Sequence, residues 1–182
     1  AAEDLSHTPG PSWPCYSAAG AQAAGSSNLS LGWGIEYGAA KAIAGQMTDG
    51  GANNTAVGHR RWIQSHDRAV MGAGSTTFSN ALYVFGRSAE PANPPDWVSW
   101  PSAGYFPEPV EPNGRWSLSA AAAATSLASA TVEVTSNGAT LPVSVKPVAV
   151  GYGDPTLVWE LDTRYNGGAT DRSYVVTVSN IK

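Results

Sequence analysis

The chain has 182 residues, of which 42% are apolar and only 13% charged, and a formal net charge of −4. So low a charged share leaves the surface to Ser, Thr, Asn, Gly and Pro, as in many secreted proteins, while the apolar share excludes disorder. Lysine occurs only at Lys41, Lys146 and Lys182 with no basic run, which argues against nucleic-acid binding, and no apolar stretch reaches the roughly 18 residues of a membrane span.

Residues 1–37 are rich in Gly, Ser, Ala and Pro, with short helical turns over Ser17 to Ala24 and Gly25 as a stop. From Gly38 to Thr48, Ala39, Ile43 and Met47 share one helical face with Ala40 and Ala44 beside them, and Asp49-Gly50-Gly51 ends the helix. Asn53-Asn54-Thr55 offers caps for a second short helix carrying His59 and Ile63. The period then changes. Ala69 to Gly74 and Ala81 to Phe85 read as strands, giving an α+β layer.

The proline-rich run 90–95 reads as a linker that separates a first domain, 1–92, from a second, 93–182. Strands are expected over Arg115 to Ser119, Thr131 to Thr135, Leu141 to Val145, Thr156 to Leu161 and Ser173 to Ser179. Several alternate at period two, and Asn137-Gly138 is a hairpin signal. Short strands with such turns predict an immunoglobulin-like β-sandwich. Trp97, Trp100, Tyr105, Phe106 and Trp116 are large and close in sequence, and are expected to pack where the two domains meet.

Two of the three histidines stand in unusual local sequences, Leu5-Ser6-His7-Thr8-Pro9 and Gly58-His59-Arg60-Arg61-Trp62-Ile63. Imidazole serves as acid, base or metal ligand near neutral pH, so the pair makes a site if the fold joins them. Ser6-His7-Thr8-Pro9, Gly58-His59-Arg60, Met71-Gly72-Ala73-Gly74 and the strand from Asn80 to Phe85, in that order, resemble the bacterial members of the CAP domain. That superfamily contains cysteine-rich secretory proteins, venom allergens and pathogenesis-related proteins. The resemblance covers about residues 1–90. It implies a layered α/β domain, secretion with any signal already removed, and a cavity holding both histidines. Only Ala1 to Leu5 corresponds to the family's first helix, which implies an apolar surface covered by the second domain, a homodimer partner or a cleaved N-terminal segment.

Where the family carries Gly-Glu-Asn-Ile, this chain has Gly25-Ser26-Ser27-Asn28-Leu29, placing Ser27 at the carboxylate position. A second family carboxylate falls near Val70 and Met71. The resemblance therefore implies a cleft of His7 and His59, bordered by Ser27, Asn28 and Arg60, with only weak binding of a divalent metal such as zinc. Glu36 and Asp49 could each replace the missing carboxylate; Glu36 is the better candidate, since Asp49 reads more readily as a helix-end turn residue. Arg60 could meet an anionic ligand, although a structural ion pair is its commoner role. Cys15, between Pro14 and Tyr16, has no charge beside it to activate it and reads as a small buried hydrophobe or a half-cystine with a distant partner.

The expected function is a secreted, non-enzymatic module binding a small molecule or lipid, or weakly a metal, in the two-histidine cleft. Two alternatives stay open. One is a peptidase-like hydrolase using His7 and His59. The other is a surface protein that binds polysaccharide through the sandwich.

Overall fold

The structure, a computed structural model, describes residues 4–32, 38–162 and 171–182. Among these it has three α-helices and ten strands arranged in three antiparallel sheets, an α+β architecture. No helix among them is long and apolar enough to cross a membrane.

Helix α1 (Ala18–Gly25) starts where the Ser17 hydroxyl accepts the Gly20 N–H at 3.0 Å. The chain turns directly into β1 (Ser27–Leu31), a polar strand that sequence reading passes over because Ser-Asn-Leu-Ser-Leu sits in a Gly- and Ser-rich stretch. Helix α2 (Ala39–Thr48) ends at Asp49, which adopts the left-handed conformation and returns its N–H to Gly45 O at 2.8 Å. Its buried face differs from the expected one. Ala42 and Gln46 are its most buried residues, Ile43 and Met47 are half-buried, and Ala39, Ala40 and Ala44 are exposed. Gln46 donates to Asn80 Oδ1 at 3.2 Å, so this face is partly polar.

Asn53 and Asn54 lie in a 3₁₀ turn and do not cap the next helix. Helix α3 (Gly58–Gln64) has no side-chain cap from Val57, which occupies its N-cap position. Strands β2 (Gly72–Ser75) and β3 (Ser79–Tyr83) complete the first sheet in the order β1-β3-β2, with Asn28 opposite Leu82 and Gly72 opposite Tyr83.

The second half holds two sheets over one core. Strands β4 (Trp97–Trp100), β5 (Arg115–Ala120), β8 (Val143–Val145) and β9 (Thr156–Leu161) form one, in the order β4-β5-β9-β8. Strands β6 (Thr131–Ser136), β7 (Ala139–Leu141) and β10 (Val175–Ser179) form the other, in the order β10-β6-β7. Trp116, Leu157, Trp159 and Leu161 from the first sheet meet Val134 of the second, with Leu127 between. Asn137 (φ 51) and Gly138 (φ 78) make the β6–β7 turn, both with the positive φ that a tight hairpin demands. The run expected as one strand from Leu141 to Val145 is two. Pro142 separates them, Leu141 pairing with Val134 in one sheet and Val145 with Trp159 in the other.

The four-stranded sheet is covered on both faces. Trp116 faces the sandwich core, while its neighbours Arg115 and Ser117 face the helices. Trp97, Trp100 and Trp116, which the sequence places where the halves meet, make no hydrogen bond across that junction among the described residues. Trp116 is inside the sandwich with its indole N–H on Glu111 at 2.6 Å, Trp97 is 42% exposed, and Trp100 packs edge-on against Phe106. Arginines make the junction instead. Arg60, fully buried, donates to Met47 O (2.6 Å), Thr48 O (2.9 Å), Arg115 O and Ser117 Oγ (both 3.0 Å). Arg61 reaches Ala149 O and Asp154 O, and Arg115 returns to Asp49 O and Gly51 O. A guanidinium can satisfy several carbonyls in a fixed fork, which apolar side chains cannot do for the frayed end of a helix.

Candidate functional site

Asp49 organises the site. Its backbone stops α2, and its carboxylate then caps α3 from outside that helix. Oδ2 accepts the N–H of His59 (2.9 Å) and of Arg60 (3.4 Å), the second and third residues of α3, and Oδ1 accepts from the ring Nδ1 of His59 at 2.8 Å. Asp49 is 1% exposed, so this carboxylate is spent entirely on α3 and His59. Burial lowers the Arg60 guanidinium to about 10, partly offset by the Asp49 charge beside it.

His7 is held by a different element with the same result. Its Nδ1 lies 2.9 Å from Ala24 O at the end of α1. A carbonyl and a carboxylate only accept, so both imidazoles, when neutral, carry their proton on Nδ1 and leave Nε2 as a bare acceptor. Neither Nε2 has a partner among the described residues. Both rings border one cleft of about 270 Å³.

Ser27 and Asn28 lie in the same cleft. Ser27 Oγ donates to Ala23 O at 2.7 Å and Asn28 Nδ2 to His59 O at 2.9 Å, so each ties a wall of the cleft to the backbone. Arg60 does not border it. The sequence offers Arg60 as a ligand contact, but its guanidinium is fully buried, turned to the junction and bonded there to three carbonyls and the Ser117 hydroxyl. Glu36 lies outside the described residues. Cys15 is exposed at φ 59, against the expectation of a buried thiol. Among the described residues no group of three or more His, Cys, Asp or Glu could hold a metal ion, so His7 and His59 supply two nitrogen donors without a third ligand.

No protein-family model, curated protein or solved structure matches this chain. The site therefore has to be read from its own chemistry.

Asp49, the less favoured of the two replacement carboxylates, is both the turn residue it reads as and the carboxylate beside His59. Two contributors escape sequence reading. Tyr152 comes from the second half and packs its ring on Gly58, where a Cβ would sit 2.7 Å from a ring carbon. Phe85 sets its ring edge-on to Trp62, centroids 4.5 Å apart.

His66 forms a second centre. One carboxylate, Asp154, takes both its N–H (3.1 Å) and its Nδ1 (2.8 Å), as Asp49 does for His59, while Nε2 meets Glu90 at 3.3 Å. Burial opposes its charged form, but Asp154 and then Glu90 outweigh it and raise the His66 pKa above the ordinary 6.5. A cleft of about 440 Å³ adjoins it, sharing Trp62 and Tyr152 with the first. With both ring nitrogens engaged, His66 joins the two halves and has no ring atom left for a ligand.

Proposed function

We propose that this chain is a secreted, CAP-like module joined to an immunoglobulin-like sandwich, and that it holds a small ligand in the cleft of His7 and His59 without catalysing a reaction. One observation carries the reading: both imidazoles border one cleft and are held at Nδ1 by acceptor-only partners, which leaves both Nε2 atoms without a partner among the described residues. The ordered motifs around His7, His59 and Gly72 support the CAP-like part. Two sheets over one core support the sandwich. Zinc binds weakly under this reading, since half of a tetrahedral set is supplied.

A fragment screen read on the ¹⁵N resonances of the imidazoles tests it. Fragments that move the Nε2 signals of His7 and His59 together are expected. Hits that leave both unmoved, or none at all, overturn the reading.

The Asp49–His59 pair also favours a second reading, a hydrolase in which His59 is general base, because a carboxylate behind an imidazole fixes its orientation and tautomer. The nucleophile would be water, since the Ser27 hydroxyl is committed to Ala23 O. Peptide or ester cleavage abolished by His59→Ala would select this reading. Absence of turnover on both substrate types selects the first.

A further inference from the structure

The cleft of His7 and His59 is bordered by no Asp, Glu, Lys or Arg side chain among the described residues. Its polar side-chain groups are two imidazoles, the Ser27 and Tyr152 hydroxyls, the Trp62 indole N–H and the amides of Asn28, Asn53 and Asn54. Trp62, Phe85 and Tyr152 also border it, with the Arg68 guanidinium over the Trp62 and Phe85 rings (5.6 and 5.3 Å) and that of Arg61 over Tyr152 (5.4 Å). Tyr152 is placed there by its neighbours. Gly151 (φ 89) and Gly153 (φ 33) take backbone conformations that side chains rarely adopt, and Gly58 admits the ring by lacking a Cβ.

Building on the ligand-cleft reading above, we propose that this cleft binds a neutral sugar ring, held against the aromatic side chains that border it, among them Tyr152 from the second half. The chemistry matches group by group. A sugar hydroxyl both donates and accepts. It can donate to a bare Nε2 or to the Asn28 carbonyl, whose amide NH₂ is already spent on His59 O, and accept from the amide of Asn53. The C–H face of the ring lies against aromatic carbon, where flat apolar contact is worth most. Other ligands fit worse. An anion would meet acceptor lone pairs and, among the described residues, no Lys or Arg in the lining. A metal finds no third ligand among the described residues. A hydrocarbon chain would strip water from the imidazoles and amides without replacing their hydrogen bonds.

Saturation-transfer NMR on the whole chain, with methyl β-glucoside, cellobiose and N,N′-diacetylchitobiose as probes and glucuronate as the anionic control, tests the proposal. Transfer to at least one neutral sugar and none to glucuronate is expected. Tyr152→Ala should weaken binding about tenfold, the worth of one good aromatic contact. Tyr152→Phe should retain it. Gly58→Ala, which keeps the tyrosine but displaces its ring, should weaken it as well. Co-sedimentation with insoluble cellulose or chitin then separates recognition of a polymer from recognition of a free ring. If no neutral sugar binds, or if Tyr152→Ala binds as well as the parent, the sugar proposal is overturned. Should zinc or a long-chain alcohol still move the His7 and His59 ring signals in that case, the ligand-cleft reading survives alone. Sugar binding untouched by both His7→Ala and His59→Ala would overturn the two together.

Discussion

Asp49→Ala probes the centre of the site, and its cost follows from the hydrogen bonds that the carboxylate makes. The His59 and Arg60 N–H groups are left without their cap, worth about 1–2 kcal/mol at a helix start. Alanine must also take the left-handed conformation at φ 50, at a further cost of about 1–2 kcal/mol. Neighbouring effects do not add fully, so a net destabilisation of about 3 kcal/mol is expected in urea unfolding. Asp49→Asn separates charge from shape. Asparagine tolerates the same backbone and can still cap α3 through its carbonyl, so its cost should be about 1 kcal/mol. Its NH₂ then faces His59 Nδ1 as a donor, and the ring proton must move to Nε2. Imidazole ¹⁵N shifts report that change directly. A destabilisation below about 1 kcal/mol for the alanine variant, or an unchanged tautomer in the asparagine variant, would refute the reasoning.

Two further outcomes follow from the junction. Because Asp154 and Glu90 raise the folded-state pKa of His66, the stability it contributes is complete below its ordinary 6.5 and is lost as pH rises through the raised value. Unfolding free energy should therefore fall as pH rises from about 6.5 through the raised value, and His66→Gln should flatten that slope; parallel curves for parent and variant would assign the slope to other groups. Arg60→Lys should cost about 3 kcal/mol by chemical denaturation, since one ammonium cannot meet four separated acceptors and burial already depresses the charge of this position. A cost under about 1 kcal/mol would show the site is wetter than its burial indicates.

Strands β5, β6 and β9 and the hairpin turn at Asn137-Gly138 are legible, because period-two patterns and a two-residue turn are local signals. Helix α2 is legible in extent but not in facing. Its buried side runs through Gln46, whose amide finds Asn80 across the first sheet, a partner no periodicity reveals. His7 and His59 border one cleft, but what fixes each ring lies elsewhere, at Ala24 and Asp49. The aromatic segment misleads for a general reason. Size predicts that a tryptophan will be buried but not where, and Trp116 lies in the sandwich core. Arginines carry the opposite expectation, since most are exposed, and here Arg60 and Arg61 are the buried residues that join the halves.

That joint has a chemical twin in the reagent bottle. Guanidinium ion is the head of an arginine side chain without its tether, and it solvates peptide groups of the kind that Met47, Thr48 and Ala149 offer to Arg60 and Arg61. Sodium chloride, by contrast, acts on pairs of full charges and only weakly on a cation held by neutral carbonyls. The arginine share of the fastening is thus far less sensitive to salt than the His66–Asp154 pair beside it, yet open to displacement by a free copy of its own functional group.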